Sequence, residues 1–489
     1  MTTLDQRSTI EVPADELFNW HLRPGAFERL VPPWDLTRVA HRSGRLEDNT
    51  MTVDLSVPLA GPLRGTWKIR HDSFEPGHKF RDVMTKGPFA TWEHTHMVTA
   101  IAGSGTGADE AAELHDSIVY EMPLGQVGRV FGAPLVTKRL ESTFAYRHAM
   151  TAADLAAHAR ARAQMPDELR GREGGLRIAV TGATGLIGSA LWAYLSTAGH
   201  EVIPIVRAGS HRGPWSMYEL PADLDPIVWN PGSVEGAFDA ANAARLEGLD
   251  AVVHLAGEPL LGRWTDAKRA RVLASRKVGT AALATALANL ARPPRVLVSA
   301  SAIGAYGDRG EEELDEGAGY GTGFLSEVAT AWEAAAEPAR AAGIRVVHAR
   351  TGIVLTPAGG ALQPLSRATK LGAGGPLGSG KQWWSWITLD DELAALEWCI
   401  VCDELSGAVN LVAPEALRMR QVAKALGKVL RRPSIAPAPA LVLRALMGRD
   451  VADEMLLASQ HVVPAALMRT GFVWRDTDLE RALRRVLGR

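Results

Sequence analysis

The amino-acid sequence predicts a doubly wound parallel α/β domain preceded by an α+β domain, and three observations carry that prediction. Residues 176–207 read as strand, glycine-rich turn, helix and strand. Beyond them, short apolar runs alternate with helical periodicities, the pattern of a parallel sheet with crossover helices. The first 150 residues differ in texture: short alternating runs separated by turn clusters. At 489 residues the chain exceeds one ordinary core. The boundaries expected are a first domain at 1–158, a charged linker at 159–175, the α/β domain at 176–431 and a small C-terminal domain at 432–489.

Bulk properties exclude several classes. A formal charge of -2 offers no electrostatic case for nucleic acid or an anionic membrane. Met1–Ile10 is polar, with no apolar signal core. Apolar runs elsewhere stop short of the ~20 residues a span needs; Ala440–Met447, for instance, contains Arg444. A cytoplasmic chain without nucleic-acid or membrane partners is expected, and its oligomeric state cannot be read. The two cysteines, Cys399 and Cys402, form a C-x-x-C late in a helix-like run. A redox pair belongs at a helix start and zinc needs two more ligands, so packing is expected there.

In the first domain, Ser8–Val12 alternates as a strand and Pro13 with Asp15 and Glu16 opens a helix. Strands are expected at Met51–Val57, Thr66–Phe74, Lys79–Met84, Thr91–Ala100 and Ala111–Tyr120. Turn clusters at Glu75–Gly77 and Gly103–Gly107 separate them. A helical segment runs from Leu124 to about Arg160, broken near Pro134. His94 and His96 share one strand face, but no third ligand is evident, so a polar or cavity-lining pair is expected rather than a metal site. The element order, with the runs Tyr120–Gly125 and Phe144–His148, resembles the START-like, polyketide-cyclase-like (SRPBCC) superfamily of helix-grip folds. That resemblance implies an apolar cavity and a hydrophobic small-molecule ligand.

The organising stretch of the second domain is LRIAVTGATGLIGSALWAYLSTAGHEVIPIVR, Leu176–Arg207. Gly182, Gly185 and Gly188 allow a tight turn that brings backbone N–H groups and a helix N-terminus to a pyrophosphate. The second strand ends at Arg207, where an acid would hold the ribose of NAD; an arginine pairs with a 2′-phosphate instead, favouring NADP over NAD. Asp250–Gly257 reads as a buried strand reaching a small-residue turn. Arg263-Trp264 follows, then a basic helix carrying Arg276. Arg295–Gly307 gives a strand ending in Ser299 and Ser301, with Tyr306 in the loop beyond. Arg345–Arg350 is a further strand, Gly372–Gly380 a flexible loop, and Trp383–Ile387 runs into Asp390-Asp391 and a helix.

TGATGLIG, VVHLAGE, SASAIGAYGD and WITLDDEL, with Ala458–Pro464 and Thr470–Phe472 near the C-terminus, resemble the atypical extended short-chain dehydrogenase/reductases called the epimerase family, which have a Rossmann fold. The resemblance implies a cofactor site at Gly182, Thr184, Gly185, Leu186, Ile187, Gly188, Arg207, Leu255, Ala256, Gly257, Arg276 and Ser299. It implies substrate contacts at Glu258, Arg263 and Trp264 and catalytic roles for Ser301 and Tyr306. One part is missing. That superfamily uses a Tyr-x-x-x-Lys pair, and here Leu325 and Ala329 stand at its places, with no lysine between Lys277 and Lys370. Tyr306, Tyr320, Glu258 and His254 are left as proton donors. Three functions stay open: a redox enzyme on a small molecule, an epimerase cycling a bound cofactor, and a non-catalytic NADPH-binding sensor or scaffold.

Overall fold

Period-two alternation over the first 121 residues forms strands with one face turned inward. The computed structural model describes residues 1–35, 37–58, 63–101, 111–123, 132–172, 174–210, 217, 220–221 and 224–489. Met1–Arg160 with Ser196–Gly199 forms one compact unit, and Ala161–Leu195 with His200–Arg489 forms another.

The first unit holds a seven-stranded antiparallel sheet. Its spatial order is Thr2–Ile10, Ala111–Glu121, Thr91–Ile101, Lys79–Lys86, Arg64–Glu75, Thr52–Pro58 and Arg38–Ser43. The opening strand lies earlier than the expected Ser8–Val12, because its inward residues alternate from Thr2 onward. Arg38–Ser43 was absent from the sequence expectation: it is an edge strand, mostly exposed, and lacks an apolar face. Helix Ala14–Leu22 buries Leu17, Phe18 and Trp20 with Ile10, Phe80, Val98, Leu114 and Leu155.

A 32-residue helix, Ala133–Gln164, closes the unit, with Phe144 packed among Trp92, Ile118 and Tyr120. Pro134 sits in its first turn, where the missing N–H costs nothing, so it starts the helix rather than breaking it. The helix also runs on into the stretch expected as linker, and a short helix, Asp167–Arg170, follows. The expected helix start at Leu124, the Gly103–Gly107 turn and the Leu124-Gly125 end of the Tyr120–Gly125 run lie outside the described residues.

The second unit is built on a seven-stranded, all-parallel sheet. Its order is Ile227–Trp229, Glu201–Arg207, Arg177–Thr181, Ala251–His254, Val296–Ala302, Arg345–Thr351 and Gly407–Leu411. Chain order reverses between Arg177–Thr181 and Ala251–His254, the place where doubly wound sheets open a crevice for ligands. The C-terminal segment does not make a core of its own. Leu443, Leu479, Leu483 and Val486 are buried together with Leu355, Trp384, Met419 and Leu426.

The loop expected to be flexible at Gly372–Gly380 is pinned to this segment. Gly378 donates its N–H to the Ala438 carbonyl and Ala438 donates to the Pro376 carbonyl, both at 2.9 Å. A Cβ on Gly375 would lie 1.8 Å from the Ala436 carbonyl oxygen, so glycine there serves close approach. Cys399 and Cys402 are buried free thiols, and burial raises the pKa of both. Among the described residues no helix is long and apolar enough to cross a membrane.

Buried in the first unit, Asp154 receives the Arg29 guanidinium through two bonds of 2.7 and 2.8 Å. Asp154→Ala removes both charge-assisted bonds from that buried cation, and about 3–5 kcal/mol of stability is expected to be lost. Urea unfolding followed by near-ultraviolet circular dichroism measures it; a loss below ~1 kcal/mol would show that the pair is dispensable.

Candidate active site

At the end of strand Arg177–Thr181 the chain turns through Gly182, whose φ of 69° suits glycine. A Cβ there would meet the Leu255 carbonyl carbon at 2.8 Å, and one on Gly188 would come within 2.2 Å of the Gly182 carbonyl oxygen. Gly185 donates to that same carbonyl at 2.8 Å, closing the turn before helix Leu186–Thr197. The helix starts with its first N–H groups free of intrahelical partners, above a floor of bare backbone. Close backbone packing at Gly182 and Gly188 thus shapes a cradle that admits no side chain at either position. Thr181 Oγ1 locks the neighbouring loop by accepting the N–H groups of Leu255 and Ala256 at 3.1 and 3.2 Å.

Arg207 closes its strand and is exposed at the sheet's C-terminal edge, with one strand, Arg177–Thr181, between it and the crevice. Arg276 lies nearly buried on the other side of the loop. Its guanidinium donates to the Glu258 carbonyl at 2.9 Å, stacks over Trp332 at 4.7 Å and would crowd a Cβ on Gly257 at 3.2 Å. Burial pulls its pKa down to about 10, with Glu258 opposing. His254 is fully buried between Thr181 Oγ1 at 2.7 Å and Thr280 Oγ1 at 2.9 Å. Burial and the Arg276 charge depress its pKa to about 3, so it is a neutral strut rather than a proton donor.

Beyond the loop lies a cavity of about 190 Å³. Ala302 and Thr351, at two strand ends, form part of its wall, as do Leu325, Val328, Ala329 and Trp332 from helix Phe324–Ala334. The two residues at the Tyr and Lys places therefore do face the cavity, and both are apolar. Trp383, Trp384, Glu454 and Gln460 contribute from the C-terminal half. Glu454 also caps the helix, accepting the N–H groups of Phe324 and Leu325 at 3.1 and 2.8 Å.

The expected catalytic pair is placed elsewhere. Strand alternation turns Ala302 to the cavity and Ser301 away from it, where Ser301 donates to the buried Glu333 at 2.7 Å. Tyr306 is fully buried and donates to Asn410 Oδ1 at 2.7 Å; burial raises its pKa. Tyr320 donates to Glu333 at 2.7 Å, and burial with that carboxylate lifts its pKa to about 12. The expected substrate residues also turn aside. Glu258 pairs with Lys268 at 2.8 Å, Arg263 donates to the Ala445 carbonyl, and Trp264 packs edge-on to Phe324. Ser299 is fully buried within the sheet.

A group the sequence reading passed over stands behind the cavity. Thr351 Oγ1 donates to Glu392 Oε1 at 2.8 Å, and Glu392 is fully buried with its other oxygen unpartnered among the described residues. Burial, only partly countered by Thr351, raises the Glu392 pKa to about 8. Its signal was the acidic run of WITLDDEL. There Asp390 binds Arg485 at 2.5 Å and Asp391 accepts the backbone N–H groups of Arg475 and Asp476, whereas Glu392 has only the Thr351 hydroxyl.

A parallel sheet reversing at a glycine cradle, beside an apolar cavity, defines the nucleotide-binding short-chain dehydrogenase/reductase class. The model of the NAD dependent epimerase/dehydratase family matches residues 178–409, and a domain of unknown function, DUF1731, matches 438–486. An epimerase family protein of Mycobacterium bovis is 39% identical over 307 residues, spanning 63% of this chain and 96% of that protein. The crystal structure of a nucleoside-diphosphate sugar epimerase from Corynebacterium glutamicum is similar across 99% of this chain and 90% of its own, with 31% identity and a TM-score of 0.75. Human epimerase family protein SDR39U1, crystallised with NADPH, is similar over 64% of this chain and 99% of its own, with 32% identity and a TM-score of 0.55. The chain belongs to the epimerase family.

Glu392 gives stability a pH dependence of known sign. Between the free value of 4.5 and about 8 the folded chain keeps a proton that the unfolded chain releases. Stability from this group is therefore fully present below 4.5 and declines as pH rises through 8, by at most ~1.4 kcal/mol per pH unit. Glu392→Gln is expected to gain on the wild type steadily from pH 5 to 8 in urea unfolding. A difference that does not change with pH would mean that Glu392 is charged throughout.

Proposed function

We propose that the second unit is an NADP(H)-dependent oxidoreductase acting on a small, largely apolar molecule. The observation that carries this reading is the cavity at the C-terminal ends of two sheet strands, next to a cradle that excludes side chains. NADPH fits the cradle: Gly182, Gly185 and Gly188 leave room for the pyrophosphate, and exposed Arg207 would pair with a 2′-phosphate. The NADPH bound by the human relative, 32% identical, supports the same choice. Bound NADPH would supply the hydride. The chain supplies the rest: Leu325, Val328, Ala329 and Trp332 exclude water, and Thr351 gives its proton to the substrate oxygen as Glu392 replaces it from its own carboxyl.

The apolar wall argues against the epimerase alternative, despite the sugar-epimerase description of the C. glutamicum relative. A sugar's hydroxyls would go unpaired against Leu325, Val328 and Ala329, at a cost of about 1–3 kcal/mol each. The same wall favours one second reading, a sensor that binds NADPH without turnover. For the first unit we infer a START-like domain holding an apolar small molecule. Its support is the antiparallel sheet closed by a long helix and a chamber of about 240 Å³ lined by Phe27, Leu55, Trp67, Phe89, Trp92 and Phe144.

NADPH is expected to raise the melting temperature, Gly185→Val to abolish the rise, and Arg207→Ala to cost NADPH about tenfold in affinity with NADH unaffected. No shift at millimolar NADPH in the wild type would end the cofactor assignment. Against a panel of small aldehydes, ketones and enones, NADPH oxidation should be seen, and Thr351→Val and Glu392→Gln should each lower kcat by about a hundredfold at unchanged NADPH affinity. Unchanged turnover in both variants removes the relay. Tight NADPH binding with no turnover across the panel selects the sensor.

A further inference from the structure

His94 and His96 follow one another on the inner face of strand Thr91–Ile101, with ring centroids 3.9 Å apart. Register places a carboxylate on each side of the pair. Asp82 pairs across from His94 on strand Lys79–Lys86, and Asp116 pairs across from His96 on strand Ala111–Glu121. Asp82 Oδ1 lies 2.9 Å from His94 Nδ1 and 3.7 Å from His96 Nε2. On the other side, Asp116 Oδ1 lies 2.8 Å from His96 Nδ1 and 3.4 Å from His94 Nε2. All four side chains are at least nine-tenths buried.

Two features of this cluster go beyond a hydrogen-bonded core. First, His94 Nε2 and His96 Nδ1 both face Asp116 Oδ1, at 3.4 and 2.8 Å, which turns the other ring nitrogens, His94 Nδ1 and His96 Nε2, toward Asp82. On that side a single oxygen, Asp82 Oδ1, serves both ring nitrogens, at 2.9 Å from one and 3.7 Å from the other, the second beyond hydrogen-bond length. Second, Asp82, His94 and His96 present ligand atoms within 4.8 Å of one another. Donors bound at about 2.0–2.1 Å in a tetrahedral shell stand roughly 3.3 Å apart, a value inside the 2.9–3.7 Å spread observed on the Asp82 side.

We propose that the first unit binds a divalent first-row transition metal through Asp82, His94 and His96. Two imidazoles and one carboxylate suit Zn²⁺ or Fe²⁺ over Mg²⁺ or Ca²⁺, which take oxygen ligands. Asp116 then holds the opposite ring nitrogens of both histidines. Such outer carboxylates orient the ligands and raise their basicity. Asp116 is itself braced, since its Oδ2 lies 3.1 Å from His148 Nε2 and His148 Nδ1 meets Ser8 Oγ at 2.9 Å. Trp92 Nε1 donates to the second oxygen of Asp82 at 3.2 Å, fixing that ligand as well.

The site has an open side. Asp82, His94 and His96 line a chamber of about 120 Å³, whereas Asp116 does not. Phe27, Leu55, Trp67, Trp92 and Arg147 line both this chamber and the larger apolar one, so the two adjoin. A metal with three protein ligands would keep a position facing this space, as catalytic rather than structural sites do. The ligand class is an apolar molecule carrying one metal-binding oxygen, such as a carboxylate, enol or phenol.

Tag-free, full-length protein is stripped with chelator and titrated with Co²⁺, then with Zn²⁺. One equivalent of Co²⁺ per chain should bring up visible d–d absorption, Zn²⁺ should abolish it, and Mg²⁺ should do neither. The joint His94→Ala, His96→Ala variant should lose the signal. Asp82→Asn and Asp116→Asn should weaken Co²⁺ at least tenfold with circular dichroism unchanged. The proposal is overturned if the wild type shows no stoichiometric Co²⁺ absorption, or if a folded histidine variant keeps it. Because the wild-type titration decides alone, a variant that fails to fold leaves the test intact. NADPH binding is read separately, so failure here does not touch the cofactor reading.

Discussion

Much of the candidate active site depends on one buried ion pair, Arg350 with Glu333. Arg350 donates from Nε and one terminal nitrogen to the two Glu333 oxygens, both at 2.9 Å. Burial alone would lift the Glu333 pKa, yet Arg350 and the hydroxyls of Ser301 and Tyr320 hold it below the usual value. The pair ties strand Arg345–Thr351 to helix Phe324–Ala334, the helix that presents Leu325, Ala329 and Trp332 to the cavity. Taking two charges out of water is costly, so such a pair holds only with most of its remaining valences filled. Ser301 and Tyr320 fill them, and Tyr306 lies against the guanidinium at 4.9 Å.

That arrangement explains the division of labour in the cavity. Hydroxyls that suit catalysis by residue type are consumed in holding a charge pair, while the wall that would carry the acid and base is hydrocarbon. One strand over, Thr351 and the buried Glu392 form a hydrogen-bonded pair behind that wall. Glu392 has no cation beside it, unlike Glu333, and burial therefore pushes its pKa up instead of down. The same side-chain type thus takes opposite states about one element apart, because one has an arginine and the other does not.

The two units differ in how their polar groups are buried. In the second, the Arg350–Glu333 pair with Ser301 and Tyr320 is one buried cluster and the Thr351–Glu392 bond another. In the first, a row of imidazoles and carboxylates lies on one sheet face, at the floor of an apolar chamber. Legibility in the sequence differed accordingly. The glycine turn, the strands around it and the parallel, doubly wound character of the sheet were readable, because each is encoded by local spacing. His94 and His96 were visible as a pair. Their partners Asp82 and Asp116 were not, since they come from two other strands and only the register brings them alongside. Thr351 and Glu392 are separated by 41 residues and carry no spacing signal at all.

Local sequence determined the βαβ unit, the three glycines and the absent Tyr-x-x-x-Lys pair. These depend on backbone freedom and residue identity within a few positions, which no distant contact alters. Tertiary structure decided which side of a strand each polar group faces. Ser301 and Ala302 are adjacent in sequence, yet a pleat of period two sends one to a buried carboxylate and the other to the cavity. It decided, too, that the C-terminal segment shares a core with residues over 80 positions earlier, and that two aspartates flank two histidines. Burial and register are properties of the assembled sheet, and the charge states that follow from them exist only once it has formed.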